Sequence, residues 1–317
     1  MICKKKPYTS NLTPILFRGI SVCAILMLVI CNTNTASANI LEDISMGQSH
    51  SLSNVKKAYT DGPFGQIHYR YAGAKGIAGI PLICLHPSPL SGIVYENWLA
   101  EMGTDRYTLA PDTPGYGGSD TPKKPQQIDS LADAIIQFMN NLGIQEADVM
   151  GYHTGSFTAA HLAMRYPHRI KKVVMISAPI FDDKIIEEYS ARIYGPPPKF
   201  VNVLQQLSEN IIKNGKGMFR DIPTDERYAD IQIEMLRNYR TSNWGFRAAF
   251  AYNLTDTLPK VDQQILVLNP EDDLWEHTPK AQEFLKNGTI HNLPGWTHGH
   301  LDAHTKEMAT IVRKFLD

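Results

Sequence analysis

The run Asp148-Val149-Met150-Gly151-Tyr152-His153-Thr154-Gly155-Ser156 is where the chain changes its period. Ala147 to Met150 is a short apolar run of the kind found in buried strands. From Thr154 to Tyr166 the apolar spacing becomes helical. Gly151 and Gly155 stand four apart across the junction. A strand that reverses at once into a helix leaves no room for a Cβ on either side of the central residue, which explains both glycines. That central residue, His153, is expected in a strained backbone conformation costing roughly 1–3 kcal/mol. A strained apex that carries an imidazole is a candidate reactive group.

Working outward, strand-like and helical stretches alternate. Val55 to Thr60 and Gln66 to Tyr71 read as a hairpin around Asp61-Gly62-Pro63-Phe64-Gly65. Pro81 to Leu85, Tyr107 to Ala110, Lys172 to Ser177, Gln264 to Leu268 and Thr289 to Leu293 read as further strands, most of them apolar throughout. Helical periodicity covers Ile93–Met102, Gln127–Leu142, Pro279–Lys286 and Ala303–Leu316. Apolar strands separated by helices imply a mostly parallel, eight-stranded α/β sheet with helices on both faces. The alternation stops between residues 180 and 259. There, helical patterns (Lys199–Asn214, Ala229–Tyr239, Asn243–Leu254) are broken by Gly195-Pro196-Pro197-Pro198. This stretch is read as an inserted helical cap, and residues 39–179 with 260–317 as the core.

The amino terminus carries Lys4, Lys5, Lys6 and Arg18, then the apolar run Ile20–Cys31, then Ala36-Ser37-Ala38. A basic n-region, a short h-region and an A-x-A site read as a secretory signal peptide over residues 1–38. The apolar run is too short for the roughly 20 residues that span a bilayer. A periplasmic or secreted protein without a stable membrane span is therefore expected. Removing four basic residues and no acidic ones from 31 Lys+Arg and 32 Asp+Glu leaves a net charge of −5. That balance argues against nucleic acid or anionic lipid as a partner. Of the four cysteines only Cys84 lies outside the leader, so no internal disulfide is expected.

Four landmarks in order carry a family resemblance. They are His86-Pro87-Ser88-Pro89, the turn Asp112-Thr113-Pro114-Gly115-Tyr116-Gly117-Gly118-Ser119, the G-x-H-x-G elbow, and the acidic and histidine loops near the end. From about Val55 onward the chain resembles the capped α/β-hydrolase-fold proteins, whose elbow reads G-x-S-x-G. The resemblance implies a catalytic carboxylate three residues past a turn glycine after the seventh strand. With Pro270 in the glycine's place, that residue is Asp273, and Asp272 is the near competitor. It implies a histidine in Gly295-Trp296-Thr297-His298-Gly299-His300, and the distance to the closing Phe315-Leu316 fits His298. It implies oxyanion donors on the backbone of Ser88 and Thr154. Asp112 and Ser119 are read as turn makers.

Three readings of His153 stay open: nucleophile or base, a pocket residue of a retired small-ligand binder, or a bystander to Thr154 or Ser156 as a displaced nucleophile. The kept elbow and the Asp273–His298 pair favour the first, an ester or related acyl hydrolase acting on a small, partly apolar substrate. A zinc site built from His153, His298, His300 and Asp273 is not required, because the landmarks account for two of these residues without a metal. No dinucleotide or phosphate loop is present, so no cofactor is expected. Tyr194, Phe219, Tyr228, Tyr239, Trp244, Phe246 and Tyr252 are the candidate pocket walls.

Overall fold

A computed structural model of the chain describes residues 54–317 except 78, 196 and 197. The leader read over residues 1–38 lies outside the described residues. Eight strands form one sheet in the order β1-β2-β4-β3-β5-β6-β7-β8. They are β1 Lys56–Gly62, β2 Gly65–Ala72, β3 Leu82–Leu85, β4 Thr108–Pro111, β5 Ala147–Tyr152, β6 Ile170–Ile176, β7 Gln264–Pro270 and β8 Gly288–Leu293. Only β2 runs against its neighbours; β4, β3, β5, β6, β7 and β8 pair in parallel.

The period-2 alternation of the strands sorts their side chains onto two faces. On one face Val149, Val173 and Ile265 pack under helices α2 (Ile128–Asn141) and α3 (Thr154–Arg165), against Ile135, Phe138 and Leu162. On the other, Met150, Val174 and Leu266 meet α1 (Glu96–Met102) and the closing helix, through Trp98, Leu99, Met308 and Val312. Every residue of β3, β4 and β5 is buried, as parallel strands covered on both sides must be.

Between β6 and β7 the chain leaves the sheet for five helices: α4 Asp183–Ile193, α5 Phe200–Asn214, α6 Asp225–Arg237, α7 Trp244–Phe250 and α8 Leu254–Thr257. Helix α4 went unread in the sequence because it is charged, although Ile185, Ile186, Tyr189 and Ile193 recur at helical spacing. The single helix expected over Asn243–Leu254 is two, since the Asn253 side chain accepts from the Asp256 amide and starts a new one. The helix expected over Pro279–Lys286 is a 3-10 turn, Thr278–Glu283. At the carboxyl end α9 (His300–Ala303) precedes α10 (Thr305–Leu316).

Candidate active site

Each member of the site stands at the carboxyl end of a parallel strand, where ligands bind in open α/β sheets. β5 delivers Tyr152 and His153, β6 delivers Ser177, β7 delivers Asp272 and Asp273, and the loop after β8 delivers His298. At the elbow, a Cβ on Gly151 would collide with the Gly155 carbonyl, and one on Gly155 with the Leu85 carbonyl of β3. Both glycines are therefore required by close backbone approach. His153 takes φ 49° and ψ −112°, in the region that non-glycine residues rarely adopt. It is pinned there by its N–H donating to Ile176 O at 2.9 Å and its carbonyl accepting from Ser156 N at 2.8 Å.

The His153 ring is held by Asp272, with Nε2 2.7 Å from Oδ2. Asp272 is fully shielded from solvent. Its Oδ1 accepts from the Leu274 amide at 2.8 Å, and its Oδ2 also accepts from the Ser177 hydroxyl at 3.3 Å. Ser177 has φ 62°, a second positive-φ residue beside the first. Burial pushes the Asp272 carboxyl up, but the charge and hydrogen bond of His153 outweigh it and hold its pKa at about 2. Reciprocally, burial pushes the His153 imidazole down, and Asp272 more than offsets this, leaving His153 more basic than an ordinary histidine. Among the described residues, His153 Nδ1 has no hydrogen-bond partner.

A second pair lies alongside. His298 Nε2 is 2.7 Å from Asp273 Oδ1, and His298 Nδ1 is 2.9 Å from the hydroxyl of Tyr152. The rings of His153 and His298 stand edge to face with centroids 5.1 Å apart. The carboxylate and histidine matched in sequence are thus brought together, but the second His298 nitrogen meets Tyr152 and not His153. Asp272, ranked behind Asp273 in the sequence, is the carboxylate on the apex histidine. The sequence carried little sign of this. Two adjacent aspartates reach two different imidazoles, Asp272 that of His153 and Asp273 that of His298. Tyr152 and Ser177 went unnoticed because a strand-end tyrosine and serine look ordinary.

Ser88 and Thr154, whose amides are the expected oxyanion donors, also meet. The Ser88 N–H donates to Thr154 Oγ1 at 2.8 Å, so one of the two expected oxyanion donors is engaged within the protein. The Ser156 hydroxyl is buried and donates to the carbonyls of Gly151 and Ile176, both at 3.0 Å, which removes it as a displaced nucleophile. His300 is buried, its Nδ1–H donating to the Thr297 carbonyl at 2.6 Å, and burial holds its pKa down at about 4. It stays a neutral packing residue. His304 stacks on Trp296. Asp112 is a turn maker as expected, accepting from the amides of Gly92 and Gly118 and pairing with His68.

His153, Thr154 and Asp273 form one wall of a cavity of about 360 Å³. The remaining walls are mostly apolar: Phe157, Pro179, Phe181, Leu274, and from the inserted helices Tyr189, Ile193, Phe246, Ala249 and Phe250. Of the aromatic residues proposed from sequence only Phe246 lines it. Tyr252 lines a neighbouring cavity, and Phe219 packs on His298 with ring centroids 5.4 Å apart.

Comparison with known proteins agrees with this architecture. Residues 80–208 match the family model described as alpha/beta hydrolase fold. A non-heme chloroperoxidase of Streptomyces lividans is 24% identical over 259 residues, covering 75% of this chain and 92% of its own. A 2-hydroxymuconate semialdehyde hydrolase of a Pseudomonas species is 28% identical over 254 residues, covering 75% and 87%. Among solved structures, an enol-lactonase from Burkholderia xenovorans superposes with a TM-score of 0.68 at 18% identity, covering 82% of this chain and 99% of the other. With the elbow, the strand order and the strand-end site in place, the chain has the α/β-hydrolase fold, and residues 80–208 match that family's model.

Proposed function

We propose that the protein is a hydrolase that cleaves an ester or related acyl bond of a small, largely apolar substrate, with His153 as the base. One observation carries the reading: the apex imidazole is oriented through Nε2 by a buried carboxylate, and its Nδ1 has no partner among the described residues beside an apolar cavity. A carboxylate behind an imidazole fixes its tautomer and stabilises the protonated form. Water adds to the acyl carbon as its proton passes to His153 Nδ1, and the same proton then goes to the leaving oxygen. The His298–Asp273 pair lies close enough to balance charge beside the apex. Helices α4 and α7, which contribute the apolar walls, serve as the cap over this site. The relatives named as hydrolases, among them a bifunctional esterase/perhydrolase of Acinetobacter calcoaceticus, support the reaction class.

The test is turnover of a panel of short aryl esters and lactones by the wild type and by His153→Ala, with thermal melts alongside. The expected result is loss of at least 100-fold in kcat for a folded His153→Ala, the scale of a general base. Equal rates in the two proteins, or binding of apolar ligands without any turnover, would overturn the reading.

A further inference from the structure

We infer that His153, Asp272, Asp273 and His298 form a divalent-cation site, best suited to zinc. One donor atom from each of the four lies within 4.8 Å of all the others. A tetrahedral zinc with bonds of about 2.1 Å separates its ligands by about 3.4 Å, so small rotations of these side chains suffice. The donor set is two imidazole nitrogens and two carboxylate oxygens, a mixture zinc accepts and one too rich in nitrogen for magnesium or calcium.

Two further observations point the same way. Tyr152, itself buried, holds His298 through Nδ1 at 2.9 Å, which leaves Nε2 directed at Asp273 Oδ1, 2.7 Å away. Fixing a histidine by its remote nitrogen is how outer groups prepare it for a metal. The two aspartates also bring two carboxylates to one spot, and one divalent ion can be held by both. Asp273 is half-exposed, 52% by side chain, so an ion can reach the site from solvent. Cys84 is buried in the core and takes no part. Four protein ligands close a tetrahedral shell, so a bound zinc would leave no position for water and, by engaging the His153 imidazole, would take away the base of the proposed hydrolysis. That effect on turnover rests on the proposed hydrolysis; the binding does not.

The experiment is calorimetric titration of the full chain with zinc chloride after dialysis against a chelator, with metal content and thermal melts measured in parallel. Expected are one zinc per chain and a raised melting temperature, with affinity reduced at least tenfold in Asp273→Asn and in Asp272→Asn. Tyr152→Phe, which keeps all four ligands, should weaken binding by about tenfold or more, as loss of an outer-shell partner does. Asp273→Asn is the decisive variant, because its half-exposed side chain can change without disturbing the core. No zinc on the wild type, or equal affinity in wild type and Asp273→Asn, overturns the site. Turnover by a wild type that takes up no zinc removes the zinc inference and leaves the hydrolase reading. Stoichiometric zinc uptake with no turnover of any panel substrate by the metal-free protein does the reverse.

Discussion

At the scale of single residues, the site is governed by which imidazole each aspartate meets. Asp272 has its pKa depressed to about 2, so the stability it contributes is present above the ordinary carboxylate range and is lost as pH falls through about 2. His153 is shifted upward, so its share is complete below about 6.5, the unfolded histidine value, and is lost as pH rises through its raised folded value. The pair is thus most stabilising between about pH 4 and 6.5. Asp272→Asn should lower stability by on the order of 2 kcal/mol in that window. The deficit should shrink toward pH 2, as thermal melts across pH would show. An effect flat in pH would place the role of Asp272 in packing and not in charge.

At the scale of elements, the elbow is the part most fully legible in sequence. Gly151 and Gly155 announced a strand-to-helix reversal, and the collisions their Cβ atoms would make are the physical content of that signal. The clash at Gly155 is with backbone of β3, which cannot swing aside as a side chain can. Gly155→Ala should therefore cost roughly 1–3 kcal/mol or more and displace His153 together with α3. The checks are denaturant unfolding and loss of turnover; a variant as stable and active as wild type would mean the elbow has slack that the structure does not show. Periodicity also located β3, β5, β7 and α2 closely. It failed where local chemistry overrode it: at Asn253, whose cap splits one helix into two, and in α4, whose charged residues masked the apolar spacing.

At the scale of the molecule, the inserted helices decide what the site can hold, and this was the least legible feature. Which aromatic residues face a cavity depends on helix packing, not on residue type. Phe181, Tyr189 and Phe250 form the stack, with Phe250 centred 5.0 Å from Phe181 and 5.5 Å from Tyr189. Phe157, Pro179, Phe181, Ala249 and Phe250 are shared between the cavity at His153 and a second one of about 250 Å³. Removing the Phe250 ring should join the two spaces. Phe250→Ala is expected to shift preference from acetyl toward octanoyl esters several-fold in kcat/KM, in keeping with 1–3 kcal/mol per apolar pocket contact. An unchanged chain-length profile would show that the substrate does not extend that way.

The central claim is that His153, set by Asp272, is the proton acceptor. The most direct measurement is the pH dependence of kcat/KM for the wild type and Asp272→Asn on one short aryl ester, because its ascending limb reports the base of the free enzyme. With Asp272 in place, the limb should lie above the ordinary histidine value, near 6.5. Without the carboxylate, burial is opposed only by the charge of Asp273, and the limb should move to lower pH as the plateau falls. A limb at the same pH in both proteins would contradict the account.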